Sequence, residues 1–256
     1  MRHALGIVLA AAVAAPAMAA DLPAAMPMKS LPAYVPAYSW TGFYIGGNLG
    51  GSWGKFDFAP TATDNVLGTT SGAFNNSVTN SSVVGGFQSG YNWEIGNLVL
   101  GFEQDFQFTG LKQGFTLAAP VGSFAAGDTF SSKVDFLSST RGKIGWAWDR
   151  FMLYAAGGLA TGVMDASATY VPGFGFTDAH KFHTGYTIGG GGEYAVTNNV
   201  SFGVEYRYLN LGKETYNLGA FTAVNGQTVS SSVDLKSSEV IARLNVKLQG
   251  LGFFGM

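Results

Sequence analysis

Charged side chains at alternate positions are the residues of this sequence that could do chemistry. Glu103 and Asp105 are two residues apart, and so are Arg141 and Lys143. Because side chains two residues apart lie on one face of a β-strand, each pair is predicted to share a face. Acids and bases in similar number favour mutual neutralisation over acid–base catalysis, since an unpaired buried charge is costly. The predicted ion-pair network contains Glu103, Asp105, Arg141, Lys143, Glu193, Glu205, Arg207 and Arg243.

Two further features could suggest a site. His180 and His183 could act as ligands or as a base, but no nucleophile or fixed acid accompanies them, so we predict rim histidines that face water. The run from Gly189 to Gly192 lies within a predicted strand and lacks the Lys-Ser/Thr of a phosphate loop. The sequence therefore predicts no enzyme, no catalytic residue, no cofactor and no metal site. The absence of cysteine excludes thiolate metal sites and disulfides.

The clearest structural signal is the segment 181–212, which contains two alternating runs joined by a tight turn at Thr197, Asn198 and Asn199. The second run has one apolar and one polar face, formed by Val200, Phe202, Val204, Tyr206 and Tyr208 and by Ser201, Gly203, Glu205 and Arg207. A period of two indicates a β-strand. The segment is therefore a hairpin that carries charge on one side only.

The same unit recurs along the chain and predicts eight strands. They are Gly42–Gly54, Ser82–Trp93, Leu98–Gly110, Lys133–Ala147, Phe151–Val163, the two halves of 181–212, and Glu239–Leu248. Their connections alternate between long polar loops, such as Leu211–Asp234, and short turns. Alternation of this kind is typical of outer-membrane barrels. We predict an all-β, eight-stranded antiparallel up-and-down transmembrane β-barrel with four long outer loops and three short periplasmic turns.

Composition and the N-terminus agree with export to a membrane. Only 12% of the residues are charged and the mean hydropathy is above zero, whereas soluble proteins carry about 25% charged residues. A net charge of −2 argues against nucleic acid as a partner. Residues 1–19 resemble a signal peptide, and the stretch is too short for a spanning helix. Residues 20–39 form a Pro-rich periplasmic linker, 40–248 the barrel and 249–256 a C-terminal extension.

A membrane barrel and a soluble, lipocalin-like barrel differ in which face of the strands lies inside. The apolar face fills the interior of a soluble barrel, whereas it contacts lipid in a membrane barrel. The charged face also carries glycines that suit a crowded lumen, so we predict lipid around the apolar face. In the strand Lys133–Ala147, Val134 and Phe136 are predicted to face outward and Asp135 inward. Tryptophans at the two rims predict an aromatic girdle comprising Trp40, Trp93, Trp146 and Trp148 at the short turns and Trp53 opposite.

Several blocks in the same order resemble a known family. They are the segments 40–48, 90–93, 101–103, 141–150, 154–160 and 189–195. The sequence resembles the small alphaproteobacterial outer-membrane proteins of the OmpA-type barrel superfamily, often described as immunogenic surface or porin-family proteins. The resemblance implies an outer-membrane barrel that supports envelope integrity and displays loops, and some relatives are described as haemin-binding or as weak porins. The chain departs from the family because strand eight ends at Leu248 instead of a terminal aromatic.

These observations lead to one expected function and two alternatives. We expect a structural, surface-display barrel with weak passive permeability at most, because eight strands leave room only for side chains. One alternative is capture of an apolar or haem-like ligand by Tyr170, Phe174, Phe176 and His180. The other is a lipid-modifying enzyme. The expected partners are outer-membrane lipid, the barrel-insertion machinery, and extracellular or host ligands at the loops.

Overall fold

The computed structural model describes residues 38–171, 174–221 and 227–248, without the side chains of 174–180 and 220–221. The predicted signal peptide, almost all of the linker and the C-terminal extension lie outside these residues. The strands are β1 (Gly42–Asp64), β2 (Thr69–Ala73), β3 (Asn76–Ile95), β4 (Leu98–Thr109), β5 (Lys112–Thr116), β6 (Thr129–Trp148), β7 (Phe151–Tyr170), β8 (Phe174–Ala195), β9 (Val200–Phe221) and β10 (Gln227–Lys247). No helix in these ranges is long and apolar enough to cross a membrane.

Eight of the strands close into a ring. Neighbours pair antiparallel in the order β1, β3, β4, β6, β7, β8, β9 and β10, and β10 returns to pair with β1. The short strands β2 and β5 add to β1 and β6 outside this ring. Closure leaves no open edge among the eight, which is the condition for crossing a membrane with strands. The predicted eight-stranded antiparallel barrel is confirmed.

Three short turns lie at one end of the barrel. They join Ile95 to Leu98, Trp148 to Phe151 and Ala195 to Val200. Gly96 and Asp149 adopt positive φ angles of 64° and 51°, as tight turns between antiparallel strands require. We call this the short-turn end.

At the opposite end the strands extend farther than the sequence predicted. The first strand runs to Asp64 instead of Gly54, and β9 and β10 occupy most of the segment 211–234. These outer segments are rich in Ser, Thr and Asn. Apolar and polar residues therefore do not alternate strongly along them. Pairing with neighbours extends them as strands, because β-structure depends more on context than on intrinsic propensity.

The pattern of polar and apolar residues reverses along each long strand. In β1 the inward side chains change from Asn48 and Ser52 to buried Phe56 and Phe58, whereas the outward register changes from exposed Trp53 to Lys55. In β10 the inward side chains beyond this level are also apolar, and Val233 and Leu235 are buried. The apolar surroundings of the barrel therefore end just beyond Trp53, and water surrounds the part above it.

The interior above this level is a hydrophobic cluster, which we call the outer core. Its side chains come from β1, β6, β7, β9 and β10 and from the connections between them. The fully buried members with the largest side chains are Phe56, Leu111, Phe124, Phe130, Leu137, Met164, Tyr170, Leu209 and Tyr216. A second, smaller cluster around Trp40 and Met152 occupies the short-turn end.

One predicted alternation is wrong because the strand contains a bulge. The register of β6 against β7 shifts between Val134 and Phe136. Val134 is consequently buried in the outer core, and Asp135 forms a salt bridge with exposed Lys133 instead of facing the lumen. An extra residue in one strand moves all later side chains by one position, which period-two counting does not anticipate.

Candidate functional site: the ion-pair network of the lumen

The eight charged residues predicted to form a network all point into the barrel. Each is buried, with exposed fractions of 4% or less. They come from β4, β6, β8, β9 and β10, so the network connects strands far apart in the sequence. Together with Asn48, Gln88 and Asn245 they fill the interior between the outer core and the short-turn end.

Two arginines and two glutamates form the centre of the network. Arg141 pairs with both Glu103 and Glu205, and Arg243 pairs with the same two carboxylates. Arg141 also places Nη2 2.8 Å from Oδ2 of Asp105. Each charge thus has at least two opposite charges beside it. Such reciprocal pairing is needed to offset the cost of removing these groups from water.

Two tyrosines complete the centre, and sequence reasoning did not include them. Tyr44 Oη donates to Glu103 Oε2 at 2.5 Å, and Tyr154 Oη donates to Glu205 Oε2 at 2.7 Å. Lys143 Nζ donates to Tyr44 Oη at 3.1 Å and lies 3.8 Å from Glu103. Both tyrosines occupy the inward register of their strands, which was a signal available in the sequence.

A second ion pair lies beside the centre. Arg207 Nε and Nη2 donate to Glu239 Oε2 at 2.9 and 2.8 Å, and Arg207 Nη1 is 3.6 Å from Asp105 Oδ2. Glu239 was absent from the predicted network. It lies on the same face as Arg243, four residues away on β10, so the alternation contained the information needed to find it.

Glu193 is bound by neutral groups. Ser201 Oγ donates to Glu193 Oε1, and Asn245 Nδ2 donates to the same oxygen at 2.9 Å. Asn245 Oδ1 in turn accepts a hydrogen bond of 2.7 Å from Gln88. This amide layer separates the ionic centre from the short-turn end. No ion pair to Glu193 occurs among the described residues, so the prediction that Glu193 belongs to the ion-pair network is wrong.

Glycine leaves room for these side chains where two inward registers approach. A Cβ on Gly46 would lie 2.3 Å from Asn245 Oδ1, and a Cβ on Gly90 would lie 2.5 Å from Tyr44 Oη. Any larger residue at either position would displace part of the network. The glycines on the charged face therefore permit a filled lumen.

Four of the five predicted girdle tryptophans face outward. Trp53, Trp93, Trp146 and Trp148 are between 43% and 51% exposed. The prediction is wrong for Trp40, which is 3% exposed because its indole folds over the short-turn end. Its Nε1 donates to the carbonyl oxygen of Asp149 at 3.0 Å, and its backbone N–H donates to Glu94 at 2.9 Å. Trp40 therefore covers the lumen instead of contacting lipid.

The outward face between the two tryptophan levels is apolar, and we call it the apolar band. Its large exposed side chains include Ile45, Leu49, Val83, Phe87, Phe102, Ile144, Leu159, Ile188, Val204 and Leu244. A soluble barrel of this size would not leave so continuous an apolar surface in water. The band matches the outward apolar zone of outer-membrane barrels.

A charge placed in the apolar band is expected to destabilise the barrel. Leu49→Arg should cost about 2–4 kcal/mol, because the guanidinium would lie near the middle of the hydrocarbon. Ala59→Arg is the matched control, since Ala59 lies in the same outward register of β1 but beyond the band. It should change stability by less than about 0.5 kcal/mol. Urea unfolding in lipid vesicles measures both, and equal effects would place the band elsewhere.

Of the residues considered for ligand binding or catalysis, the two whose side chains are described, Tyr170 and His183, are not accessible. His183 is fully buried, with Nε2 2.6 Å from Tyr216 Oη, so the prediction of a water-facing rim histidine is wrong for it. Tyr170 is buried in the outer core. The side chains of Phe174, Phe176 and His180 lie outside the described residues. In the described part of the chain, no three His, Asp or Glu side chains are grouped to hold a metal ion.

Comparisons with known proteins find outer-membrane proteins. The chain is 37% identical over 218 residues to the 31 kDa outer-membrane immunogenic protein of Brucella melitensis, covering 80% of this chain and 85% of that one. It is 31% identical over 186 residues to the 22 kDa outer membrane protein of Rhizobium leguminosarum, with coverage of 72% and 71%. Among solved structures, outer membrane protein OprG of Pseudomonas aeruginosa aligns with a TM-score of 0.49 at 9% identity over 81% of this chain and 96% of that one.

A family model provides the assignment. The model described as the outer membrane protein beta-barrel domain matches residues 5–236, which is most of the chain. The relatives are named as outer-membrane proteins, in agreement with the closed barrel and its apolar band. The chain therefore belongs to the outer membrane protein β-barrel domain family and is a protein of the bacterial outer membrane.

Proposed function

We propose that this protein is a structural, surface-display barrel with a closed lumen, which supports envelope integrity and is not an enzyme. The observation that supports this is the filling of the interior at three successive levels. The outer core, the ion-pair network and the smaller cluster around Trp40 and Met152 follow one another along the barrel axis. The cavity bounded by Trp40, Tyr44 and Asn245 measures only about 10 Å³, roughly the space of one water molecule.

The filled interior opposes solute passage for a physical reason. An ion that crossed the network would have to separate Arg141 and Arg243 from their carboxylates, leaving charges unpaired in a dry interior. Above that level it would also have to cross a hydrophobic cluster. The long strands project well beyond the apolar band, which suits display at the cell surface. The relatives named immunogenic are consistent with such exposure.

Planar-bilayer recording tests the proposal of a closed lumen. We expect no steady conductance from the wild-type barrel. The fourfold variant Glu103→Ala, Arg141→Ala, Glu205→Ala and Arg243→Ala removes equal numbers of opposite charges from the centre. It should also stay closed, because the outer core still blocks the path. Steady nanosiemens conductance from the wild-type protein would contradict the proposal.

A second function is not proposed. The ligand hypothesis names Tyr170, Phe174, Phe176 and His180, and the enzyme hypothesis names His180 and His183. Tyr170 and His183 are both buried, at 1% and 0% exposure. No observation on the described residues therefore favours either alternative over a closed structural barrel.

A further inference from the structure

Lysine is distributed very unevenly over the barrel. Of the eight lysines among the described residues, Lys143 lies in the lumen and Lys247 near the short-turn end. The other six lie just beyond the apolar band at the outer end, and we call them the lysine ring: Lys55, Lys112, Lys133, Lys181, Lys213 and Lys236. The four arginines in the described ranges, by contrast, lie in the lumen or at a short turn. Because lysines and arginines occupy different parts of the barrel, we expect the lysine ring to have a different role from the ion-pair network.

Direct cross-strand pairing establishes one part of the ring. Lys236 on β10 is opposite Lys55 on β1, and Lys112 on β5 is opposite Lys133 on β6. The two pairs are linked across β3, because Asn80 donates from Nδ2 to the carbonyl oxygen of Lys112 at 2.6 Å. Asn80 follows Thr79, the β3 partner of Lys55.

The remaining contacts close the ring on the other side of the barrel. Lys133 is opposite Asp165 on β7, and the adjacent Met164 is opposite Lys181 on β8. Lys181 Nζ donates to the carbonyl oxygen of Thr215 on β9, two residues from Lys213. Lys213 is opposite Asp234 on β10, which forms a salt bridge of 2.7 Å with Lys236. The six lysines therefore encircle the barrel at one level.

The lysine ring lies at the boundary between apolar and aqueous surroundings. Lys55 follows the exposed girdle residue Trp53 by two positions in the same outward register. Lys55, Lys112, Lys133 and Lys213 are exposed, and Lys236 is partly exposed. Lys181 differs from these five, because it shares the inward register of His183, is opposite the buried Met164, and has Nζ 5.4 Å from the ring centroid of Tyr216. Lysine can lay its aliphatic stem on apolar surface and raise its ammonium group to the headgroup level. The ammonium groups of these five outward lysines are thus placed at the height of lipid headgroups.

Two outward lysines of the ring have no carboxylate partner among the described residues. Lysines directly opposite each other in a sheet repel, and two such pairs occur here. Asp57 lies 3.1 Å from Lys55 and 3.8 Å from Lys236, and Asp135 pairs with Lys133. Asp165, Glu214 and Asp234 are other acids at this level, together with Asp178, which pairs with Ala166 on β7. Within the described residues Lys112 and Lys213 form no salt bridge, and an ammonium with one carboxylate partner retains further donors.

We propose that the lysine ring binds the phosphate groups of lipid A, the glycolipid of the outer leaflet. Short turns of outer-membrane barrels face the periplasm, so the ring lies in the outer leaflet. The short-turn end carries only Arg150 and Lys247 as bases among the described residues, so general interfacial anchoring does not explain the five outward lysines at the other rim. Paired lysines at Lys55–Lys236 and Lys112–Lys133 suit a headgroup that bears two phosphates. This inference does not depend on the closed lumen.

Native mass spectrometry of the full chain in detergent, titrated with bisphosphorylated lipid A, tests the proposal. The variant carries Lys55→Gln, Lys112→Gln, Lys133→Gln and Lys236→Gln, and its matched control carries Arg150→Gln and Lys247→Gln. Each ring lysine should contribute about five-fold to binding, so the fourfold variant should lose more than about 100-fold. The control should bind as the wild type does, and the four Lys→Arg changes should retain binding.

Further arms of the experiment identify the ligand and check the fold. Heat-modifiable gel migration should be unchanged in all variants, since the substituted side chains are exposed or partly exposed and lie outside the ion-pair network. Phosphatidylglycerol should bind at least ten-fold more weakly than lipid A. Equal binding of the two lipids would overturn the assignment to lipid A. If the fourfold variant bound lipid A as tightly as the wild type, the lysine ring would not be the binding site. The same conclusion would follow if the short-turn control lost as much affinity as the fourfold variant.

Discussion

Arg141→Met is expected to destabilise the folded barrel by about 3–5 kcal/mol, the cost of removing one partner from a buried ion pair. Arg141 is 1% exposed and forms salt bridges with Glu103, Asp105 and Glu205. Methionine fills similar space but leaves three carboxylates with fewer cations. Arg243 contacts only Glu103 and Glu205, so Asp105 would keep no cation closer than Arg207 at 3.6 Å. The excess negative charge would then have to be protonated or hydrated in a crowded lumen.

Urea unfolding in detergent, followed by tryptophan fluorescence, measures this effect. Lys133→Met is the matched control, because its side chain is 53% exposed and its partner Asp135 is at the surface. The control should change stability by less than about 1 kcal/mol. A second variant, Arg141→Met with Glu205→Gln, should recover part of the loss because it removes one unpaired carboxylate. If Arg141→Met and Lys133→Met were equally stable, the network would not hold the barrel together.

The transmembrane part of the fold could be predicted from sequence because hydrocarbon imposes a strict pattern. Apolar residues such as Leu49 and Val204 must face lipid, so charged residues of the other register, such as Glu205, must face inward. Short turns and rim tryptophans then gave the number and direction of the strands. Partner identity within the network could not be predicted, since it depends on barrel register, which brings Arg243 beside Glu103 across 140 positions of sequence.

The outer end was harder to predict because its physical surroundings differ. Above Trp53 water replaces lipid, so inward side chains become apolar, and the buried Phe56 and Val233 lie in segments that the sequence predicted as loops. The reversal was visible in β1, where Lys55 replaces an aromatic in the outward register. The bulge in β6 and the burial of Trp40 could not be predicted from the sequence, because both arise from tertiary contacts and not from a local pattern of residues.

The outer core leads to the second large effect. Phe130→Ala should destabilise the outer end by about 3–5 kcal/mol, the usual cost of deleting a fully buried aromatic side chain. Phe130 is 1% exposed, and its ring centroid lies 5.5 Å from that of Phe115 and 5.6 Å from that of Phe124. Its substitution leaves a cavity in a cluster that joins β1, β6, β7, β9 and β10. The network below lies outside this cluster, so it should persist.

Limited proteolysis from the outside distinguishes local from global loss in the Phe130→Ala barrel. Cleavage in the outer segments of β6 and β7 should become faster, while heat-modifiable migration of the protected transmembrane part is retained. Leu67→Ala is the control, because Leu67 is 73% exposed at the tip between β1 and β2 and lies outside the core. It should leave cleavage unchanged. Loss of the heat-modifiable form in Phe130→Ala would instead mean that the outer core and the ion-pair network fold as one cooperative unit.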